Sequence, residues 1–105
     1  MIHAKKVLPE YFEPLRDGRK RFELRREDPS EPCYAVGDYL ALNEYEPGRA
    51  GDLDGLYTGR CLLFRITYVL RNVEWLAPGC VALSLHLAPL CFGDVAAQEI
   101  RDPVR

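Results

Sequence analysis

Apolar and polar residues alternate in Lys20–Arg26 and Cys80–Leu87, and these segments, with three further runs bounded by turn residues, predict five β-strands. The predicted strands are His3–Leu8, Lys20–Arg26, Tyr39–Glu46, Leu56–Leu70 and Cys80–Leu87. Turn-forming residues separate them, notably Val36-Gly37-Asp38 before the third strand and the glycine- and aspartate-rich segment 47–55 before the fourth. Short strands joined by turns are typical of a sheet whose neighbouring strands run antiparallel.

One helix is expected between the first two strands. The segment PEYFEPLRDG begins with Pro9, which suits the first turn, and ends with Gly18, which suits the residue after a helix. The apolar face of this helix consists of Tyr11, Phe12 and Leu15. A second short helix is expected near Val95–Ile100 in the C-terminal tail.

The second predicted strand alternates more clearly than its surroundings. Phe22 and Leu24 share one face, which we expect to point into the core. Arg21, Glu23 and Arg25 share the other face, which we expect to point outwards. Surface ion pairs of this kind contribute only about 0–1 kcal/mol each, so the pattern alone is equally typical of a solvated strand.

Length and composition fit one soluble domain. The chain has 105 residues, of which 48% are hydrophobic and 29% charged, and this length suits a single compact core. We expect a mostly β fold with one or two short helices (α+β), a small mostly antiparallel β-barrel, over residues 1–105. We also expect a cytoplasmic location and no membrane segment, because no long apolar run or leader-like N-terminus is evident.

The four cysteines are Cys33, Cys61, Cys80 and Cys91. No two of them form a CxxC pair, and the sequence contains two histidines, so a zinc site would need ligands from scattered strands. We therefore expect reduced cysteines that act as small apolar core residues, with no metal and no cofactor.

Charge is unevenly distributed. Residues 1–26 carry eight Lys or Arg against four acids, whereas residues 27–105 carry six against twelve. The net charge of −2 disfavours strong attraction to polyanions in general. The basic N-terminal part is nevertheless suited to hold one phosphate or nucleotide.

Residues 18–25, GRKRFELR, match the pattern G-x-K-x-x-E-x-R and in this resemble the signature of the ASCH domain, a branch of the PUA-like superfamily. The opening HAKKVLPEYF at residues 3–12 is similar to that of a small phage and bacterial subfamily of ASCH-like proteins. The turn at residues 36–38, residues 57–60 and residues 81–84 also follow the order of that family. The resemblance covers about residues 2–87 and leaves the tail, residues 88–105, outside.

The resemblance implies a PUA-like β-barrel in which the early helix packs beside a cleft lined by the signature. It also implies that the cleft binds RNA or a modified nucleoside or nucleotide. The guanidinium of Arg25 suits phosphate or base acceptors, and Lys20 can reach a phosphate or a carbonyl. Glu23 suits an amino or imino donor, or it holds the two cations in place. The candidate binding residues are Lys6, Lys20, Arg21, Glu23, Arg25 and Tyr45.

Two alternatives remain open at this stage. The first is a small hydrolase, either an amidohydrolase on an acylated nucleoside or a ribonuclease, with Lys20 and Glu23 as catalytic residues. ASCH relatives resembling amidohydrolases carry a nucleophilic threonine where this chain has Glu23. Glu74, His3 and His86 are further candidates for acid–base roles. The second is a protein-interaction module that presents the acidic residues 27–54 to a protein partner.

Overall fold

The computed structural model of the protein describes residues 1–48 and 55–88. Its elements are β1 (Ile2–Val7), α1 (Pro9–Arg16), β2 (Phe22–Arg26), β3 (Tyr39–Glu46), β4 (Leu56–Leu70) and β5 (Cys80–Leu87). The predicted order of one helix among five strands is therefore confirmed. The helix expected near Val95–Ile100 lies outside the described residues.

The five strands form one sheet in the order β1-β3-β4-β5-β2. β1 runs parallel to β3, and the other three pairs are antiparallel. The sheet curls into a half-barrel, which confirms the mostly β, barrel-like α+β prediction. In the part of the chain that the structure describes, β1 and β2 are the two edges of the sheet, although only α1 and a turn separate them in sequence.

The main core fills the concave face of the sheet. Phe12 and Leu15 of α1 are fully buried there, against β-strand residues such as Leu40, Leu62 and Leu83. Complete burial of an aliphatic or aromatic side chain stabilises a fold by about 1.5–3 kcal/mol, so this face supplies most of the hydrophobic stabilisation. In β5, Val81, Leu83 and Leu85 are buried on this face and Leu87 packs against them.

The predicted orientation of β2 is wrong. Phe22 and Leu24 remain 49% and 60% exposed, whereas Glu23 is only 5% exposed. Arg25 is partly buried on the same side as Glu23. The alternation of β2 is correct, but its polar face turns towards the concave side and its apolar face turns outwards. The physical reason is the set of ion pairs that Glu23 makes there, which are described below.

The cysteine prediction holds in part. Cys33, Cys61 and Cys80 are all free thiols, but Cys33 is exposed and Cys80 only partly buried. Cys61 is the buried member, and burial raises the pKa of its thiol. Cys91 lies outside the described residues. A small second cluster on the convex face joins Cys61 to Ala41 and Leu63.

Two glycines allow the backbone to bend where the strands need it. Gly37 in the turn before β3 has φ of 96°, and Gly59 in β4 has φ of 91°, values that other residues adopt only with strain. At Gly59 the pairing of β3 with β4 shifts from Asn43↔Cys61 to Tyr45↔Tyr57. The resulting bulge redirects β4 beside α1.

Candidate functional site

A cleft of about 470 Å³ opens between the two edge strands of the sheet, beside α1. Its walls come from the end of β1, from α1, from the turn after α1 and from β2. The lining residues are Lys6, Val7, Leu8, Tyr11, Lys20, Phe22, Glu23, Leu24 and Arg25. Four of the six residues predicted from the sequence to bind a ligand line this cleft: Lys6, Lys20, Glu23 and Arg25. The sheet brings Lys6 of β1 opposite β2.

The turn after α1 places Lys20 at the mouth of this cleft. Asp17 caps the helix, and Gly18 follows with φ of 88°, the left-handed conformation expected for a residue after a helix. The Lys20 backbone N–H then donates to the carbonyl of Pro14 at 2.9 Å. Arg19 bonds back to Asp17 through its backbone N–H and its Nε. These local bonds fix the direction in which Lys20 leaves the turn.

Glu23 forms the centre of the site. Its Oε1 accepts from Lys20 Nζ at 2.5 Å, and its Oε2 accepts from Arg25 Nε at 2.8 Å. The Glu23 side chain is 6% exposed, whereas those of Lys20 and Arg25 are 18% and 21% exposed. A carboxylate this deeply buried requires charged partners, which explains why β2 turns its polar face inwards.

Arg25 also links the two edges of the sheet. Its Nη2 donates to the backbone carbonyl of Lys6 at 2.9 Å, across 19 positions of sequence. Lys20 similarly donates to the carbonyl of Phe22 at 2.9 Å. These two backbone carbonyls of β1 and β2 are thus occupied by side chains, and the bond from Arg25 braces the two cleft edges against each other.

The remaining walls are apolar and accessible. Tyr11 is 45% exposed, and Leu8, Phe22 and Leu24 are also exposed. The Lys20 ammonium lies 4.9 Å from the Phe22 ring centroid and 5.6 Å from that of Tyr11, within the range of cation–π attraction. A flat aromatic ligand can therefore contact apolar groups on its faces and the charged groups at its edge.

The other predicted binding residues lie at the border of the cleft or beyond it. The Lys6 ammonium lies 4.4 Å from the Tyr45 ring centroid, and the Tyr45 hydroxyl accepts from the Gly55 backbone N–H. Tyr45 is therefore a neighbour of a cleft residue and does not line the cleft. Arg21 is exposed and donates through Nε to the Gly18 carbonyl at 3.1 Å. It stabilises the turn rather than the cleft wall.

The candidate acid–base residues outside the signature do not line the cleft. His3 is buried, and its Nε2 bonds Asp38 Oδ2 at 2.8 Å while its ring lies 4.6 Å from that of Tyr34. This bond lowers the pKa of Asp38. Glu74 lies in the exposed loop after β4, and His86 is exposed on β5 opposite Arg65.

A second charged cluster at the Gly59 bulge was not anticipated from the sequence. Glu44 of β3 is 6% exposed. It accepts from Arg60 at 2.9 and 3.1 Å and from the Thr58 hydroxyl at 2.7 Å. Arg60 also bonds Glu13 of α1 and lies over the Phe12 ring. In the sequence, this cluster is indicated by Glu44, a glutamate at an inward-facing position of β3.

The bonds of this cluster fix its charge states. The Arg60 guanidinium holds the pKa of Glu44 below its usual value, and Glu44 in turn raises the pKa of Arg60. A smaller cavity of about 260 Å³ lies beside it, lined by Asn43, Tyr57, Gly59 and Arg60. Because Arg60 links the buried Glu44 carboxylate to Glu13 of α1, we assign the cluster to anchoring α1 on the sheet.

The described residues contain neither a cluster of metal-binding side chains nor a helix suited to span a membrane. Within residues 1–48 and 55–88, no three His, Cys, Asp or Glu side chains are grouped closely enough to hold a metal ion. In the same ranges, the structure contains no helix with the length and apolar character needed to cross a membrane.

Comparison with known proteins places the chain in a family. It is 36% identical over 75 residues to a protein of Escherichia phage P2 described as "Uncharacterized 12.9 kDa protein in GpA 3'region". The match covers 71% of this chain and 60% of the phage protein. A family model described as "Domain of unknown function (DUF3850)" matches residues 2–85. Since this match contains every element from β1 to most of β5, including the whole cleft, the chain belongs to the DUF3850 family.

Proposed function

We propose that this protein binds RNA or a nucleoside or nucleotide in the cleft between β1 and β2, as an ASCH-like member of the PUA-like superfamily. The observation that carries the proposal is the Glu23 carboxylate, buried and held between Lys20 and Arg25 in a cleft with aromatic walls. A site for a bare polyanion would not need a buried carboxylate, because a carboxylate repels phosphate.

Lys20, Glu23 and Arg25 together offer both the hydrogen-bond donors and the acceptors that a base edge requires. A carboxylate oxygen can accept two hydrogen bonds, so Oε1 and Oε2 each retain a lone pair for an amino or imino group. Lys20 and Arg25 retain N–H groups beyond those used on Glu23 and the backbone carbonyls. These donors suit a base carbonyl or a phosphate oxygen.

The shape of the cleft agrees with a ligand of this size. Its volume of about 470 Å³ lies within the approximate range of 300–1,000 Å³ for small-molecule sites. Tyr11 and Phe22 supply ring faces, and Leu8 and Leu24 supply aliphatic contacts. Apolar walls with a few polar groups at one end are typical of sites that stack a base and read its edge.

A hydrolase is the second candidate, and the cleft gives it less support. Both oxygens of Glu23 are engaged by cations, which lowers their nucleophilicity. Of the described residues, those that line the cleft include no second carboxylate and no histidine. Hydrolysis would therefore depend on Lys20 and Glu23 alone, without the additional acid or base that such reactions ordinarily use.

The test is calorimetric titration with a panel of nucleosides, nucleoside monophosphates and a short single-stranded RNA, at two salt concentrations. We expect saturable binding by the wild type and at least tenfold weaker binding by Arg25→Ala. Arg21→Ala is the matched control, because it removes the same charge from the same segment at a side chain outside the cleft.

Three results separate the alternatives. Equal losses in the two arginine variants would indicate general attraction to charge and would contradict a cleft site. No saturable binding by the wild type to any ligand of the panel would remove the proposal. Mass spectrometry of each mixture detects hydrolysis, and a product that disappears in Lys20→Ala and Glu23→Gln would favour the hydrolase.

A further inference from the structure

Among the described residues, the convex face of β2, β5 and the second half of β4 exposes a set of apolar and basic side chains. We call it the outer face. Its register aligns Phe22, Ser84 and Tyr68 in one row across the three strands. The next row consists of Leu24, Ala82 and Leu70. Phe22, Leu24 and Tyr68 are 49%, 60% and 59% exposed.

The charged side chains that the three strands present on this face are all arginines. Arg26 is exposed at one end of β2, and Arg65 is paired with His86 beyond the Tyr68 row. The three strands contain a single carboxylate, Glu23, and it faces the opposite side of the sheet. In a protein of net charge −2, three strands that present arginines and no acid on this side form a local positive region.

The aromatic residues of the outer face are arranged as separate platforms. Phe22 and Tyr68 lie two strand spacings apart, or about 10 Å, with the small Ser84 between them. Beside the outer face, Tyr39 of β3 is partly buried and lies next to Arg65, whose guanidinium is 5.9 Å from the Tyr39 ring centroid. Exposed rings on a sheet with interspersed cations are the arrangement on which single-stranded nucleic acids stack their bases.

We propose that the outer face is a second contact surface for single-stranded nucleic acid, continuous with the cleft. The inference rests on the proposed function, and it specifies an oligonucleotide rather than a free nucleoside as the ligand. Phe22 and Leu24 make the connection, because both line the cleft and each begins one of the outer rows. One nucleotide occupies the cleft, and the strand passes over the edge of β2 towards Tyr68 and Arg65.

Charge favours this occupant over a second copy of the chain. Two outer faces placed against each other would bring Arg26 and Arg65 of one copy close to the same cations of the other. Like charges in contact oppose association, and the strands β2, β4 and β5 present no acid on this side to compensate them. A nucleic acid supplies phosphates for the cations and bases for the rings, so both components of the surface are used.

The experiment measures binding of a fluorescent 12-nucleotide single-stranded RNA and of a nucleoside monophosphate to the full chain. We expect Tyr68→Ala to weaken RNA binding about 5- to 100-fold, as found for loss of one stacking residue, and to leave the monophosphate affinity unchanged. Tyr68→Phe keeps the ring and should retain RNA affinity. Tyr57→Ala is the matched control, since Tyr57 is 62% exposed on the same strand but lies outside the outer face.

Salt dependence supplies an independent readout for the cation. If Arg65 contacts one phosphate, Arg65→Ala lowers the slope of log K against log salt concentration by about 0.7 for a single strand. An unchanged slope together with RNA affinity within twofold of the wild type in Tyr68→Ala would overturn the proposal. The proposal would also be overturned if the outer face bound an acidic protein and did not bind RNA.

The two proposals fail in different ways. Loss of monophosphate and RNA binding in Arg25→Ala, with Tyr68→Ala unaffected, would retain the cleft and remove the outer face. Weak RNA binding in Tyr68→Ala, with Arg25→Ala unaffected, would retain the outer face and remove the cleft.

Discussion

Replacing Glu23 by glutamine changes the charge at the centre of the cleft and almost nothing in its shape. The amide keeps an oxygen that accepts one hydrogen bond, but its NH₂ group points a donor at either Lys20 or Arg25. Two cations with exposed fractions of 18% and 21% then lose the opposite charge between them. We expect Glu23→Gln to fold and to be less stable than the wild type.

The magnitude follows from the two bonds that are altered. Hydrogen bonds to charged groups contribute roughly 1.5–3 kcal/mol each, and breaking a buried ion pair costs about 3–5 kcal/mol. Because glutamine retains one acceptor and the cations are partly hydrated, we expect a loss of about 2–3 kcal/mol in the free energy of unfolding. With an m-value of about 2 kcal/mol/M in urea, the unfolding midpoint should fall by about 1–1.5 M.

The assay is urea denaturation followed by circular dichroism, with Glu31→Gln as the control. Glu31 also accepts from a lysine, Lys5, at 2.5 Å, but its side chain is 49% exposed. An exposed pair contributes about 0–1 kcal/mol, so the control midpoint should hardly move. Equal midpoints for Glu23→Gln and the wild type would refute the reasoning that the buried carboxylate holds the cleft together.

Three further predictions concern stability. Arg60 lowers the pKa of Glu44 below the unfolded value of 4.5. This pair therefore stabilises the fold above pH 4.5 and loses its contribution as pH falls through the lower folded-state pKa. Urea midpoints measured from pH 7 to pH 3 should decline less in Glu44→Gln than in the wild type, and parallel curves would contradict the assignment. Leu83→Ala should lower the free energy of unfolding by about 2–5 kcal/mol, and Leu24→Ser by less than about 1 kcal/mol, because the two leucines are 1% and 60% exposed. If thermal melts show the larger loss in Leu24→Ser, β2 has the orientation predicted from the sequence. Gly18→Ala should lower stability by about 1–2 kcal/mol because φ is 88°, and an unchanged melting temperature would show that the turn relaxes.

Sequence reasoning succeeded where short-range rules decide the outcome. The helix begins at Pro9 and is followed by Gly18 in the left-handed conformation, as the sequence predicted. The five strands also lie where alternation and turn residues indicated them. Each of these features depends on steric preferences or on side-chain periodicity within a few residues, which are properties that a linear sequence contains.

The orientation of β2 shows where such rules end. Alternation separates Phe22 and Leu24 from Glu23 and Arg25, but it does not state which group faces the core. Hydropathy alone favours the apolar pair. The structure decides otherwise because β2 is an edge strand, and its inward face borders a cleft instead of the sealed core. There, Glu23 is buried between its cationic partners, and Phe22 and Leu24 remain on the outer face.

The sequence by itself thus determined the elements, their order and the identity of the charged signature around Glu23. Only the tertiary structure decided that Lys6 approaches Arg25 from 19 positions away, and that Glu44 and Arg60 meet across 16. The reason is physical: β1 and β2 are the two edges of the sheet, so the contact of Lys6 with Arg25 depends on the curl of the whole sheet. The contact of Glu44 with Arg60 depends on the register of β3 with β4 and on the bulge between them, which no local pattern encodes.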